Sequence, residues 1–122
     1  MCCLFGLIDY RHGLTGREKN RMLAILSSVC ESRGTDAAGI AYNVGGTLRI
    51  YKRPVPAHRL HLRIPEQAHV VMGHTRMTTQ GSAKRNYNNH PFLGMAGKDV
   101  FALAHNGALS NDMTLRKGLH LP

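Results

Sequence analysis

Two periodicities run through the chain. Residues 2–9, Cys-Cys-Leu-Phe-Gly-Leu-Ile-Asp, form a mostly apolar run of strand length, which predicts a fully buried first strand. Thr15-Gly16-Arg17-Glu18 then has the spacing of a capping box. Met22, Ile25, Leu26 and Val29 follow at i, i+3, i+4 and i+7, predicting an amphipathic helix over residues 16–32 that ends before Gly34, with Met22 and Cys30 as core residues. Residues 38–44 and 47–52 read as two strands joined by the turn Gly45-Gly46. Pro54 and Pro56 interrupt the pattern, and residues 57–66 are ambiguous, with room for a short helix. Residues 68–72 predict a buried strand leading into Gly73-His74-Thr75-Arg76. Polar and turn residues dominate 77–97, an expected ordered loop. Residues 100–104 read as another buried strand, running into His105-Asn106-Gly107. Asn111 is placed to cap a last helix that starts at Asp112. This mixture with an antiparallel hairpin is α+β.

Composition narrows the class. The 122 residues suffice for a single domain, and 43% hydrophobic residues predict a packed core. Three cysteines, Cys2, Cys3 and Cys30, without a secretory leader argue against a disulfide framework and for a reducing, cytoplasmic setting. No apolar run approaches the ~20 residues of a membrane span, so no membrane partner is expected. Sixteen Lys/Arg against seven Asp/Glu give +9. The basic residues are scattered, and no zinc-finger, helix-turn-helix or RNP-like pattern accompanies them, so a nucleic-acid partner is disfavoured. A surface that welcomes anionic substrates explains the charge equally well.

Candidate chemistry lies in short clusters. Cys2 directly follows Met1; removal of Met1 would put a thiol and a free α-amine, with a pKa near ~8, on one residue. Taken alone, Cys2 and Cys3 read sooner as small buried residues of a first strand. Arg33-Gly34-Thr35-Asp36-Ala37-Ala38-Gly39 reads by itself as a helix stop with an ion pair around it. Gly73-His74-Thr75-Arg76-Met77-Thr78-Thr79 follows a strand, where polar residues often face a cleft, and the Arg76 fork suits a carboxylate. Asn88-Asn89-His90-Pro91-Phe92 is turn chemistry with an aromatic anchor and reads as structural. His105-Asn106-Gly107 sets a side-chain amide beside an approachable backbone N–H, the equipment of an oxyanion hole, although Asn-Gly is also a common turn. The histidines and cysteines lack metal-ligand spacing, and phosphate-cradling glycine loops are absent, so neither metal nor other cofactor is expected.

The ordered set of Cys2, Arg33-Gly34-x-Asp36-x-x-Gly39, Gly73-His74-Thr75-Arg76-x-x-Thr79, Asn88-x-His90-Pro91-Phe92 and His105-Asn106-Gly107 resembles the class II glutamine amidotransferase domain, from Met1 to about Leu109. The resemblance implies an N-terminal-nucleophile hydrolase fold, an αββα sandwich of antiparallel sheets. It implies hydrolysis of the glutamine side-chain amide to glutamate and ammonia through a cysteine thioester. Cys2 is then the nucleophile, Asn106 and Gly107 the oxyanion hole, Arg76 the partner of the glutamine α-carboxylate, Thr79 a neighbouring substrate contact, and Arg33 a support for the N-terminus. An oxyanion site of this kind contributes ~3 kcal/mol to the chemical step.

The chain departs from the family pattern in three ways. Cys3 replaces the usual glycine, adding a side chain or a competing thiol beside the nucleophile. The family's downstream acidic residue for the substrate α-amine has no counterpart, since Asp112 lies too close to the His-Asn-Gly motif. Further strands and helices are expected past residue 122, so residues 1–122 read as one partial domain with open edges, and self-association would cover them. The ammonia acceptor is expected on a separate synthase chain. The alternatives are a catalytically inactive binding module of the same fold, or an N-terminal cysteine hydrolase of another amide.

Overall fold

The computed structural model describes residues 1–79 and 81–121. Its strands are β1 (Cys3–Ile8), β2 (Ala37–Val44), β3 (Thr47–Arg53), β4 (Val70–Arg76), β5 (Phe92–Ala96) and β6 (Asp99–Leu103); its helices are α1 (Gly16–Glu31), α2 (Ala57–Leu60) and α3 (Asp112–Gly118). Among the described residues these make a four-stranded antiparallel sheet ordered β1-β4-β2-β3 and a separate β5-β6 hairpin. The β2-β3 turn is the expected one: Gly45 and Gly46 sit at φ of 56° and 76°, which suits the twist of a tight hairpin.

Strand alternation divides the large sheet into two working faces. Phe5, Leu7, Ile40, Tyr42 and Val71 point to one side and pack with Leu23 of α1, Leu60 of α2, and Leu62, Ile64 and Ala68 of the segment before β4. Full burial of a Leu or Ile in this layer contributes about 2 kcal/mol by area. On the other side, Ala41 and Met72 face Val100, Phe101 and Ala102 of the hairpin across a cavity of about 240 Å3. Among the described residues the layers therefore run helix, sheet, sheet, an α+β arrangement that accords with the expected fold class. The residues of α3 are exposed along its whole length.

Helix α1 begins as its sequence predicts. Thr15 Oγ1 accepts from the Glu18 N–H at 3.2 Å, and Glu18 Oε2 accepts from the Thr15 N–H at 2.8 Å. Its buried face, however, is the other one. Leu23 is 0% exposed, while Ile25 and Val29 are 56% and 68% exposed and Met22 also faces out. The inward row is Lys19, Leu23, Ser27 and Cys30. Two polar residues disguise that row in the sequence, and both are satisfied. Ser27 Oγ donates to the Ala24 carbonyl at 3.2 Å. The fully buried Lys19 ammonium donates to the carbonyls of Glu66 (2.7 Å) and Ala68 (3.0 Å) and meets Asp9 Oδ2 at 3.2 Å. Asp9 in turn accepts from the Gly13 and Leu14 N–H groups, which closes the β1-α1 turn.

Other expectations shift for similar reasons. β1 is an edge strand, half-buried by alternation and not fully buried, with Leu4 and Ile8 exposed. β4 starts at Val70 and runs on through Arg76, because pairing with both β1 and β2 carries it past the apolar run. Only Ala57–Leu60 of the ambiguous stretch is helical. Residues 77–97 contain a strand, β5, hidden among turn residues, and a short 3-10 turn at Asn86–Asn88. β6 is exposed, since its hairpin has a single partner strand and Val100, Phe101 and Leu103 stay accessible. Among the described residues no helix is long and apolar enough to cross a membrane.

The two faces of α1 separate cleanly by mutation. Leu23→Ala is expected to cost about 3 kcal/mol in urea unfolding, and Ile25→Ala to stay within about 0.5 kcal/mol. Equal losses would restore the face that the apolar spacing favours.

Candidate active site

β4 carries alternate side chains to opposite layers at its C-terminal end. Thr75 turns to the helix side, where its hydroxyl donates to the Cys30 carbonyl at 2.8 Å. His74 and Arg76 turn to the open face, and both are buried there. Arg76, 7% exposed, donates from Nη1 to Asn89 Oδ1 at 2.9 Å. Asn89 is itself fully buried and holds the loop around it: its amide nitrogen donates to the Ala83 carbonyl at 2.8 Å and to Asn86 Oδ1 at 3.2 Å. From β3, Lys52 donates to the carbonyls of Asn89 and Pro91, the latter at 2.9 Å, and lies over the Phe92 ring at 5.3 Å. Gly39 permits this loop to seat, since a Cβ there would stand 2.4 Å from the His90 carbonyl oxygen.

After Arg76 the chain is pinned by Asp36. The Asp36 N–H donates to the Arg76 carbonyl at 2.9 Å, and its carboxylate accepts from the Thr78 N–H at 2.7 Å. The Thr78 hydrogen bonds, helped by the Arg76 charge, hold the Asp36 carboxyl below the usual range. The ion pair read between Arg33 and Asp36 does not form. Arg33 instead reaches the Met1 sulfur at 3.6 Å, while the Met1 ammonium lies 3.1 Å from the Met77 sulfur.

These anchors frame a cleft of about 630 Å3, lined among others by Cys2, Arg76, Thr79, His90, Gly107 and Asp112. That volume is in the range of small-molecule sites. The Cys2 thiol lies 3.5 Å from the Met77 carbonyl oxygen. Cys3, one residue on, points to the opposite face, its sulfur 2.7 Å from that of Cys30. It therefore neither lines the cleft nor offers it a competing thiol, contrary to the sequence expectation. Burial, reinforced by Cys3, pushes the Cys30 thiol up to about 12. Asn106 is exposed and does not line the cleft; its neighbour Gly107 does. The His105 ring covers Gly107 so closely that a Cβ would meet it at 2.7 Å.

His74, from the Gly-His-Thr-Arg motif, and Asn89 and His90, from the segment read as structural, position the site together with Lys52, for which the sequence suggested no role. Asp112, which the sequence reading held too close to the His-Asn-Gly motif to serve the substrate α-amine, also lines the cleft. Burial lowers the pKa of Lys52, and lowers those of His74 and His90 to about 4, with neighbouring positive groups adding to the His90 shift. Among the described residues no three His, Cys, Asp or Glu side chains converge as metal ligands.

The profile of the class-II glutamine amidotransferases matches residues 23–122. The chain is 36% identical over 121 residues to glutamine–fructose-6-phosphate aminotransferase (isomerizing) of Chlamydia muridarum, covering 98% of this chain and 18% of that protein. The protein of the same name from Symbiobacterium thermophilum is 36% identical over 122 residues, 98% of this chain and 19% of its own length. That from Halobacterium salinarum is 40% identical over 81 residues, 66% of this chain and 13% of its own length. The chain thus spans under a fifth of the length of these relatives. No solved structure matches it with comparable significance.

The histidine pair sets a pH dependence. Both imidazoles have folded pKa values of about 4 against an ordinary 6.5, so the unfolded chain binds more protons between those values. Stability is expected to fall as pH drops from 6.5 to 4, measured as the thermal midpoint. Asp9 and Asp36, held below their ordinary 3.8, act in a separate window under about pH 4. A midpoint that stays flat between pH 6.5 and 4 would contradict burial of neutral imidazoles.

Proposed function

The chain belongs to the class-II glutamine amidotransferase family, and from that premise we propose that it hydrolyses the side-chain amide of glutamine to glutamate and ammonia, with Cys2 as the nucleophile. The observation that carries this reading is the shared cleft: a thiol, a guanidinium and the backbone of Gly107 all line it. Removal of Met1 would expose the Cys2 α-amine, which with a pKa near ~8 is a competent proton acceptor.

The Cys2 sulfur attacks the amide carbon, and its proton passes to the α-amine. The developing oxyanion is taken by the Gly107 N–H and by the Asn106 side-chain amide, which must turn inward from its exposed position. The α-ammonium returns the proton to the leaving nitrogen, and ammonia departs. Water, deprotonated by the same amine, then cleaves the thioester to release glutamate and restore the thiol.

Substrate orientation follows from charge. Glutamine is a zwitterion. Arg76 fits its α-carboxylate, with Thr79 beside it. Asp112, the acidic residue among those described as lining the cleft, fits its α-ammonium. Arg33, through Met1, steadies the N-terminal segment before processing. The relatives carry fructose 6-phosphate in their names, and we infer that the ammonia goes to a sugar phosphate of that kind on a separate synthase unit. In this reading residues 1–122 carry the glutaminase half of the reaction.

Glutamate release from glutamine is expected in the wild type and should fall at least about 1000-fold in Cys2→Ala. Intact mass should show Met1 removed from active material. Asn106→Ala should lower kcat by about 100-fold, and Asp112→Asn should raise KM for glutamine roughly 10-fold. Equal rates in wild type and Cys2→Ala would reject the amidase and favour a binding module.

A further inference from the structure

Two buried or part-buried imidazoles hold the carbonyl and the N–H of one residue, His105. His74, on the rigid strand β4, has Nε2 3.2 Å from the His105 carbonyl oxygen. A carbonyl only accepts, so Nε2 must carry the hydrogen. His74 Nδ1 is buried without a partner, which leaves it as a bare acceptor. His90 Nδ1 lies 3.0 Å from the His105 amide nitrogen. An amide N–H only donates, so Nδ1 must be unprotonated and the hydrogen sits on Nε2 of this ring too. The two rings stack at 4.2 Å with 15° between their planes, and Phe92 backs His90 at 4.2 Å. Both the carbonyl and the N–H of His105 are therefore held by one stacked pair. Asn106 and Gly107 follow directly, and the His105 ring lies against Gly107.

We propose that His74 and His90 act as a pair of positioning residues, neutral and both in the Nε2–H tautomer, that clamp the His105 backbone and so set where Asn106 and Gly107 stand relative to Cys2. The proposal rests on the amidase reading of the cleft. It assigns a purpose to the buried His74, whose side chain sits in the layer between the strand and the loop. It also explains why the loop is anchored so heavily: Asn89 and Lys52 fix the segment from which His90 reaches out. A displacement of about 1 Å in a reacting geometry can cost on the order of 100-fold in rate, so the clamp acts on kcat more than on KM.

The test uses atom placement. In His90→Asn, Oδ1 stands where Nδ1 stood and still accepts from the His105 N–H; in His90→Gln the acceptor lies one bond further out. In His74→Gln the amide nitrogen replaces Nε2 as donor, whereas His74→Leu has none. Two readouts on the full chain are compared: hydrogen exchange at the His105 amide by NMR, and kcat and KM for glutamine. His90→Gln is expected to speed exchange at that amide at least about 10-fold and to lower kcat by about 10- to 100-fold with KM little changed. His90→Asn should restore both to within a few-fold of wild type, and His74→Gln should outperform His74→Leu in kcat. Asn and Gln behaving alike at position 90 would overturn the clamp, as would a His105 amide that exchanges freely in the wild type. The remaining reading is separable: a protected His105 amide in a wild type without glutaminase activity would uphold the backbone grip and reject the amidase. Should one variant fail to fold, the paired variant at the other histidine decides.

Discussion

The two-residue period of β4 is the constraint on which the molecule depends. In this strand, paired on both sides, each step along the backbone reverses the direction of the side chain. Val71, Gly73 and Thr75 serve the helix layer, and Met72, His74 and Arg76 serve the cleft layer. A one-residue slip would exchange core for chemistry along the whole strand. At the start of β1 the chain sends Cys2, just before the strand, and Cys3, its first residue, apart, one to the cleft and one to Cys30. Adjacent thiols thereby acquire different surroundings without any loop or insertion between them.

The second feature is that polar burial and site construction are the same event. Arg76, Asn89 and Lys52 are taken out of water beside one another, and each group that would be costly alone meets a carbonyl or an amide oxygen. The loop that follows β4 has little apolar content of its own and would not be ordered by packing. It is ordered by these bonds, and His90 is carried into place with it. The Lys19 cluster at the opposite end of α1 follows the same logic without a cleft, tying the β1-α1 turn to the segment before β4.

Apolar surface marks where the described layers stop. Leu93, Met95 and Val100 on the hairpin, Leu4 and Ile8 on β1, and Met22, Ile25 and Val29 on α1 are all exposed. The curated relatives are more than five times the length of this chain.

Local chemistry was legible in the residues themselves. The Thr15-Glu18 capping box, the Gly45-Gly46 hairpin and the ordered motifs around Cys2, Arg76 and Gly107 depend on near neighbours or on glycine's own freedom, so the chain states them directly. The buried face of α1 could not be read this way. Lys19 and Ser27 look solvent-facing until the carbonyls of Glu66 and Ala68, supplied from about fifty residues away, satisfy the ammonium. The strand β5 was legible in part, since Phe92–Ala96 is an apolar run between Pro91 and Gly97, but the polar and turn residues that dominate 77–97 masked it. Likewise Lys52 carries no motif that announces a role, His74 and Asn89 lie inside motifs that do not say which partner each will meet, and Asp112 looked too close to the His-Asn-Gly motif to serve the substrate α-amine. Sequence alone named the residues proposed here for an N-terminal cysteine amidase. Only the tertiary structure decided which face each one occupies and which partner removes its desolvation cost, because both are set by contacts between segments that the order of residues does not contain.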